Sequence, residues 1–280
     1  MRQSAINQAS FTNNIASVVP NPPPPARTTA YTLTPANRIF GFSLSNPGSV
    51  SDLPVTGLQA GESLLGIDFR SANGLLYGVG SSNRLYTANP MTGEASPVGN
   101  GQFAVPLSPG AAGFDFNPTV DRIRLVNQAG QNARLNPDTG AVVDFDTLTG
   151  GIQLDGNLAY RAGDRNFGNP GAAAGAAYVN NFAGATSTTL FAIDTNLDVL
   201  VRQDPPNNGV LNTIGSLGID AGSVLGFDIR SVGGNETALA AIDVGGFSSL
   251  YNINLTTGQA SIVGQIGDGR GFKGLALTLI

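Results

Sequence analysis

The stretch from Leu64 to Gly99, LLGIDFRSANGLLYGVGSSNRLYTANPMTGEASPVG, alternates short apolar runs with turn residues. Runs of this length and alternation are typical of β-strands. The pair Thr92-Gly93 ends the last turn, and glycine supplies the positive φ that a tight hairpin needs. The stretch therefore predicts four antiparallel strands in one small sheet.

The opening of this stretch, Gly66-Ile67-Asp68-Phe69-Arg70, recurs along the chain as GFDFN at 113–117 and GFDIR at 226–230. Weaker copies are LAYR at 158–161 and GLAL at 274–277. Gly66 and Gly113 are 47 residues apart, and Gly226 and Gly274 are 48 apart. Four short strands in each unit of about 40–50 residues are typical of a propeller blade.

The last copy near residue 275 is followed by too few residues to complete a blade. The chain from Thr29 onward supplies a second, third and fourth strand with no first strand before them. Joining both ends in one blade closes the ring and removes open sheet edges. We therefore predict an all-β domain over 29–280, a five-bladed β-propeller whose C-terminal strand closes the N-terminal blade.

Residues 1–28 differ from the rest and are predicted to form an extended N-terminal arm and Pro-rich linker outside the ring. A disordered tail with a polyproline spacer is one interpretation. A strand that docks on its own body or on a neighbouring subunit is the other. The candidate assembly residues of the arm are apolar side chains and the proline run: Phe11, Ile15, Val18, Val19, Pro22, Pro23, Pro24 and Pro25.

The composition excludes several function classes. The chain has no Cys and no His, which excludes Ser–His–Asp and Cys–His triads and disfavours zinc, haem and iron–sulfur sites. A net charge of −5 with only 12% charged residues argues against a nucleic-acid partner. No run of about 18 apolar residues is present, so we expect no membrane span. Scarce lysine and abundant polar small residues favour an extracellular or cell-surface protein, in a mature form from which a signal peptide is absent.

Two sets of charged residues occupy repeated positions in the predicted inner strands. The carboxylates Asp68, Asp115 and Asp228 could bind Ca²⁺ or act as an acid–base pair at the channel. Equally, each could accept hydrogen bonds from an adjacent strand or blade, and Ala159 and Ala276 in the same register favour that interpretation. The arginines are Arg70, Arg161 and Arg230, which could bind an anionic ligand or pair with aspartates of neighbouring blades.

Four stretches resemble a bacterial family, domain of unknown function 4394: LLGIDFRSANGLLYGVGSSNRLYT, GFDFNPTVDRIRLVN, NARLNPDTGAV and QDPPNNGVLNTIGSLG. The resemblance covers roughly residues 29–280. It implies an extracytoplasmic, propeller-like protein. It implies no reaction, and no catalytic residues transfer from the family to this sequence.

Three functions remain open from the sequence. The first is a non-enzymatic extracellular structural or binding module that self-assembles into a filament or surface array through its arm. The second is a calcium-dependent propeller hydrolase or lyase, for which Ca²⁺ is the only cofactor considered. The third is a monomeric ligand-binding propeller. We favour the non-enzymatic module, with the protein itself as partner.

Overall fold

The computed structural model describes residues 29–108 and 112–279, which form five mainly antiparallel sheets. The predicted arm lies outside the described residues. No helix within the described ranges has the length and apolar character to cross a bilayer.

The first and second sheets each have four strands. The first contains β1 (Ala30–Leu33), β2 (Arg38–Ser43), β3 (Asn46–Pro54) and the last strand, β20 (Lys273–Leu277). The second contains β4 (Leu64–Phe69), β5 (Leu76–Gly80), β6 (Arg84–Ala88) and β7 (Ala95–Val98).

The remaining sheets follow in chain order. The third contains β8 (Ala112–Asn117), β9 (Arg122–Asn127) and β10 (Asn132–Leu135), and a single bridge from Leu135 to Val142 takes the outer position. The fourth contains β11 (Ala159–Tyr160), β12 (Ala173–Tyr178), β13 (Leu190–Asp194), β14 (Val199–Gln203) and β15 (Val210–Ser216), with a short 3₁₀ helix at Pro206–Asn208. The fifth contains β16 (Ser223–Val232), β17 (Asn235–Val244), β18 (Phe247–Ile253) and β19 (Ala260–Gln265).

The five sheets are blades around a common axis. The inner strands β4, β8, β12, β16 and β20 each contact the inner strand of the next blade, and the series returns to its start. One apolar cluster fills each of the five interfaces between neighbouring blades. This arrangement confirms the predicted five-bladed propeller.

The ring closes through the two ends of the described chain. Strand β20 pairs with β1, so that Tyr31 lies opposite Ala276. The Thr32 hydroxyl donates to the Gly274 carbonyl at 2.7 Å, and the Thr278 N–H donates to the Thr29 carbonyl at 3.0 Å. The predicted closure of the first blade by the C-terminal strand is therefore confirmed.

The fourth blade differs from the sequence prediction. The weak copy of the repeat at 158–161 was predicted to be an inner strand, and this prediction is wrong: β11 lies at the outer edge of this sheet, parallel to β15. The inner strand is β12, in which Ala177 takes the register position that we assigned to Ala159. The run of small residues in β12 resembles a flexible loop in sequence, but all six of its residues are buried between two blades. Tertiary packing has overridden the weak β-propensity of alanine.

Candidate functional site

Three carboxylates converge on the axis of the propeller. Asp68 lies on β4, Asp115 on β8 and Asp228 on β16, each two residues after an inner-strand glycine. One oxygen atom from each residue lies within 4.8 Å of the others. All three side chains are buried. We call Asp68, Asp115 and Asp228 the axial carboxylate cluster.

Two members of the cluster join neighbouring blades. Asp68 accepts hydrogen bonds from its neighbour Phe69 N–H at 2.7 Å and from Phe116 N–H of the third blade at 3.1 Å. Asp228 accepts from Ile229 N–H at 2.5 Å and from Leu277 N–H of the first blade at 2.6 Å. Each carboxylate therefore accepts one hydrogen bond from its own strand and one from the next blade.

Asp115 lacks these contacts. Its carboxylate is buried, and neither oxygen accepts a hydrogen bond from any residue that the structure describes. The N–H groups of Tyr178 and Phe116 are close enough to lower its pKa, but their geometry does not satisfy a hydrogen bond. A buried carboxylate without a partner is costly, and it requires a neutralising proton or cation.

The electrostatics of the cluster favour neutralisation. Burial, and then the charge of Asp228, raises the pKa of Asp68 well above its usual range. Burial, followed by the charges of Asp68 and Asp228, does the same to the pKa of Asp115. Burial raises the pKa of Asp228 to about 7, although its two backbone hydrogen bonds and the charge of Arg230 oppose that shift. Three negative charges are therefore not stable together at this position without a counter-charge.

The three arginines singled out from the sequence occupy different surroundings. Arg70 is buried and joins the second blade to the third through ion pairs with Asp121 and Asp138. Arg230 is half-buried, and its Nε has no partner among the described residues. Arg161 follows β11 at the outer edge of the fourth blade and is exposed. Its place in the sheet is therefore not equivalent to that of Arg70 or Arg230.

A second site lies between the third and fourth blades, and the sequence reasoning did not identify it. Arg122 and Arg124 alternate along β9, and Arg134 on β10 lies directly opposite Arg124. All three therefore lie on one face of the sheet. They line a cleft of about 390 Å³. We call this the arginine cleft, and its other lining residues are Asn117, Val120, Val143, Tyr178, Pro206 and Asn207.

One carboxylate serves two of the three guanidinium groups in the cleft. Asp155 is wholly buried and pairs with Arg124 at 2.5 Å and with Arg134 at 2.8 Å. Arg122 has no carboxylate partner among the described residues, and its Nη1 donates to the carbonyls of Val120 and Asp121. The cleft therefore carries an excess of positive charge. The alternation Arg-Ile-Arg at 122–124 is the sequence signal that could have indicated it.

The arginine in the middle of the cleft is held rigidly. Arg124 is 1% exposed, and three residues besides Asp155 accept from it. These are Asn132 at 2.7 Å, Asn207 at 2.6 Å and the Tyr178 hydroxyl at 3.4 Å. Tyr178 comes from the inner strand of the fourth blade and Asn207 from the 3₁₀ helix. The back wall of the cleft is thus built by both blades.

Solved structures that match this protein have low sequence identity to it. A protein of unknown function from Bacteroides thetaiotaomicron is 12% identical, with a TM-score of 0.49, over 90% of this chain and 66% of that one. The structure of BBS1N in complex with ARL6DN is 13% identical, with a TM-score of 0.42, over 83% of this chain and 64% of that one. A protein from Lactobacillus plantarum is 13% identical, with a TM-score of 0.41, over 88% of this chain and 70% of that one. The chain thus spans about two thirds of the length of these proteins. No curated protein matches its sequence.

The family comparison covers nearly all of the described ring. A family model described as a domain of unknown function, DUF4394, matches residues 38–276. The match begins in β2 and ends in β20, so it covers strands of all five blades and leaves out β1. It confirms the resemblance drawn from the four sequence motifs. The chain therefore belongs to the family described as domain of unknown function 4394.

Proposed function

We propose that this chain is a non-enzymatic binding module whose rigid propeller presents the arginine cleft to an anionic ligand. The observation that carries the proposal is the charge of the cleft, which holds three guanidinium groups and one buried carboxylate that pairs with two of them. The whole chain, in contrast, has a net charge of −5. A local cationic cleft on an acidic protein selects a ligand by charge at that place.

The cleft suits a small molecule or a short segment that bears a carboxylate or phosphate group. Its volume of about 390 Å³ is within the range of small-molecule sites. Guanidinium groups bind such anions through paired, charge-assisted hydrogen bonds. The Asn117 and Asn207 amides and the Tyr178 hydroxyl add polar contacts that orient a bound ligand.

Calorimetry with citrate and inorganic phosphate tests this function. We expect citrate to bind the intact chain at low ionic strength, and Arg122→Ala to weaken that binding at least about tenfold, the loss of a charge-assisted pair. Arg165→Ala is the matched control, because Arg165 is exposed and lies outside the cleft. Unchanged affinity in Arg122→Ala, or no heat from either anion at millimolar concentration, would contradict the proposal.

A second candidate function is self-assembly through the arm, as part of an extracellular or cell-surface array. It is favoured by the outer strand of the fifth blade, β19, which has a ladder partner on one side only. Ile262 is 66% exposed and Val263 is 43% exposed on this strand, and Phe247 is exposed on the adjacent β18. An added strand from a neighbouring subunit would cover this apolar edge.

Light scattering separates the two candidates. If the arm connects subunits, the intact chain forms oligomers whereas a chain that starts at Thr29 stays monomeric. Ile262→Lys should then reduce assembly of the intact chain. Ile152→Lys serves as its control, because Ile152 is also exposed but lies in the connection between the third and fourth blades. A monomeric intact chain, or equal assembly by the shortened chain, would exclude this function.

The hydrolase or lyase alternative finds no specific support. It requires the three inner-strand aspartates to touch a substrate, and the axial carboxylate cluster is buried from solvent on all three side chains. Acid–base groups must reach the reacting atoms within hydrogen-bond distance. A structural role therefore suits this cluster better than a catalytic one.

A further inference from the structure

We propose that the axial carboxylate cluster binds one Ca²⁺ ion, which ties the second, third and fifth blades together at the axis. The site is independent of the arginine cleft and of any assembly. Its ligands are oxygen atoms of Asp68, Asp115 and Asp228, which come from three different blades.

The geometry of the three oxygens suits calcium. Because the three oxygens lie within 4.8 Å of one another, one point lies no more than about 2.8 Å from all three. Calcium binds oxygen ligands at about 2.3–2.6 Å and accepts irregular arrangements, whereas magnesium requires about 2.0–2.1 Å and near-octahedral geometry. Carboxylates are the hard ligands that calcium prefers, and this chain has no His or Cys to offer a softer ion.

Asp115 provides the second, independent observation. Asp68 and Asp228 are each satisfied by two backbone N–H groups, and they need no ion to explain their burial. Asp115 is equally buried and yet accepts no hydrogen bond within the described residues. One of its oxygens lies within 4.8 Å of an oxygen of each of the other two carboxylates. A bound cation would satisfy the lone pairs that the protein leaves without a partner.

The surrounding charge also balances with a divalent ion. Three carboxylates contribute −3, and Ca²⁺ reduces this to −1. Arg230 acts on the charge of Asp228 and has a buried Nε with no partner in the described chain. Its positive charge brings the local sum close to zero, which a buried site requires.

The contacts of the cluster show why such an ion would stabilise the ring. Asp68 already connects the second blade to the third, and Asp228 connects the fifth to the first. Asp115 is the member whose connection to the fourth blade, toward Tyr178 N–H, is incomplete. An ion shared by all three would instead join the third blade to the second and the fifth by coordination bonds across the axis.

Metal analysis of the intact chain is the first test. Protein equilibrated with CaCl₂ and then freed of loose ions should retain one Ca²⁺ per chain by mass spectrometry. Calcium should raise the unfolding temperature relative to chelator, because an ion that binds only the folded state stabilises it. Magnesium at the same concentration should have a smaller effect. No retained calcium together with no thermal shift would overturn the proposal, as would an equal effect of magnesium.

Variants locate the ion. Asp115→Asn should lower Ca²⁺ affinity at least tenfold, and Asp220→Asn, at an exposed aspartate elsewhere, should leave it unchanged. In chelator, Asp115→Asn should unfold at the same or a higher temperature than the parent chain, because it removes a buried charge. A variant that is merely misfolded would unfold earlier in chelator, and Asp68→Asn then repeats the affinity measurement. Unchanged affinity in both variants would place any calcium elsewhere.

Discussion

Arg124 and Asp155 form an ion pair in which neither side chain reaches solvent. Removing Arg124 leaves the buried Asp155 with Arg134 as its one remaining ion-pair partner in the described chain, and it takes away the donor to Asn132 and Asn207. We expect Arg124→Ala to lower the free energy of unfolding by about 3–5 kcal/mol, measured by urea denaturation. Arg38→Ala breaks an exposed pair with Asp52 and is the control, with an expected loss of about 0–1 kcal/mol. Equal losses of unfolding free energy in the two variants would show that burial does not determine how much each ion pair contributes to stability.

Tyr86 gives the fold a limit at alkaline pH. Burial, and then its hydrogen bond to Glu62, raises the pKa of Tyr86 from 10.0 to about 12. The folded state therefore keeps a proton that the unfolded state releases. This contribution to stability is complete below pH 10 and is lost as the pH rises toward 12. In Tyr86→Phe the free energy of unfolding should fall less steeply over this window, and an identical slope would contradict the assignment.

The sequence predicted some site residues better than others for a physical reason. The register of Asp68, Asp115 and Asp228 follows from a repeated pattern, since equivalent positions of equivalent strands meet at the axis. The arginine cleft depends instead on Asp155, from a connection between blades, and on Asn207, from the short 3₁₀ helix, and neither segment is repeated along the chain. Contacts between non-repeated segments cannot be read from periodicity.

Among the elements, the inner strands are the most tightly constrained. A Cβ atom built at Gly226 of β16 would lie 2.3 Å from the backbone nitrogen of Leu275 on β20. Gly226→Ala should therefore force the first and fifth blades apart and cost about 3 kcal/mol, in the upper range for overpacking. Gly150→Ala is the control, because nothing lies within 4 Å of its Cβ position. A thermal unfolding comparison in which the two variants behave alike would contradict this close approach.

The fourth blade shows where element prediction fails. The weak repeat copy at 158–161 has the aromatic and apolar residues typical of a strand. It does form a strand, β11, but this strand lies at the outer edge of the sheet. The inner position is taken by the alanine run of β12, whose small side chains pack between the third and fifth blades. Local β-propensity favoured residues 158–161 as the inner strand. Burial between two blades decided in favour of β12 instead, and that burial cannot be read from the sequence.

For the whole molecule, the last strand decides whether the ring exists. Without β20, β1 loses one of its two ladder partners and Asp228 loses the Leu277 N–H. We expect a chain that ends at Gly271 to unfold at a markedly lower temperature, and a peptide of residues 270–280 to restore the intact transition. The same peptide with Leu275→Asp and Leu277→Asp should fail, since both leucines are buried against the fifth blade. Equal rescue by both peptides would show that closure needs no buried contact.

At this scale the sequence predicted most of the architecture. Repeat spacing indicated the number of blades, and the incomplete first and last repeats indicated that the two ends share one sheet. Both follow from counting strands, which requires no knowledge of side-chain contacts. The frequent glycines mark the turns between strands, and they therefore helped to count the strands.

The closure also sets the order of events when the chain is made. Leu277 follows its partner Ala30 by 247 positions. At ribosomal speeds of about 5–20 residues per second, β1 waits on the order of ten to fifty seconds for its neighbour. Closing so long a loop costs about 5 kcal/mol of chain entropy, which only the finished interfaces offset. The first blade to leave the ribosome is thus the last to be completed, and its open edge needs protection throughout that interval.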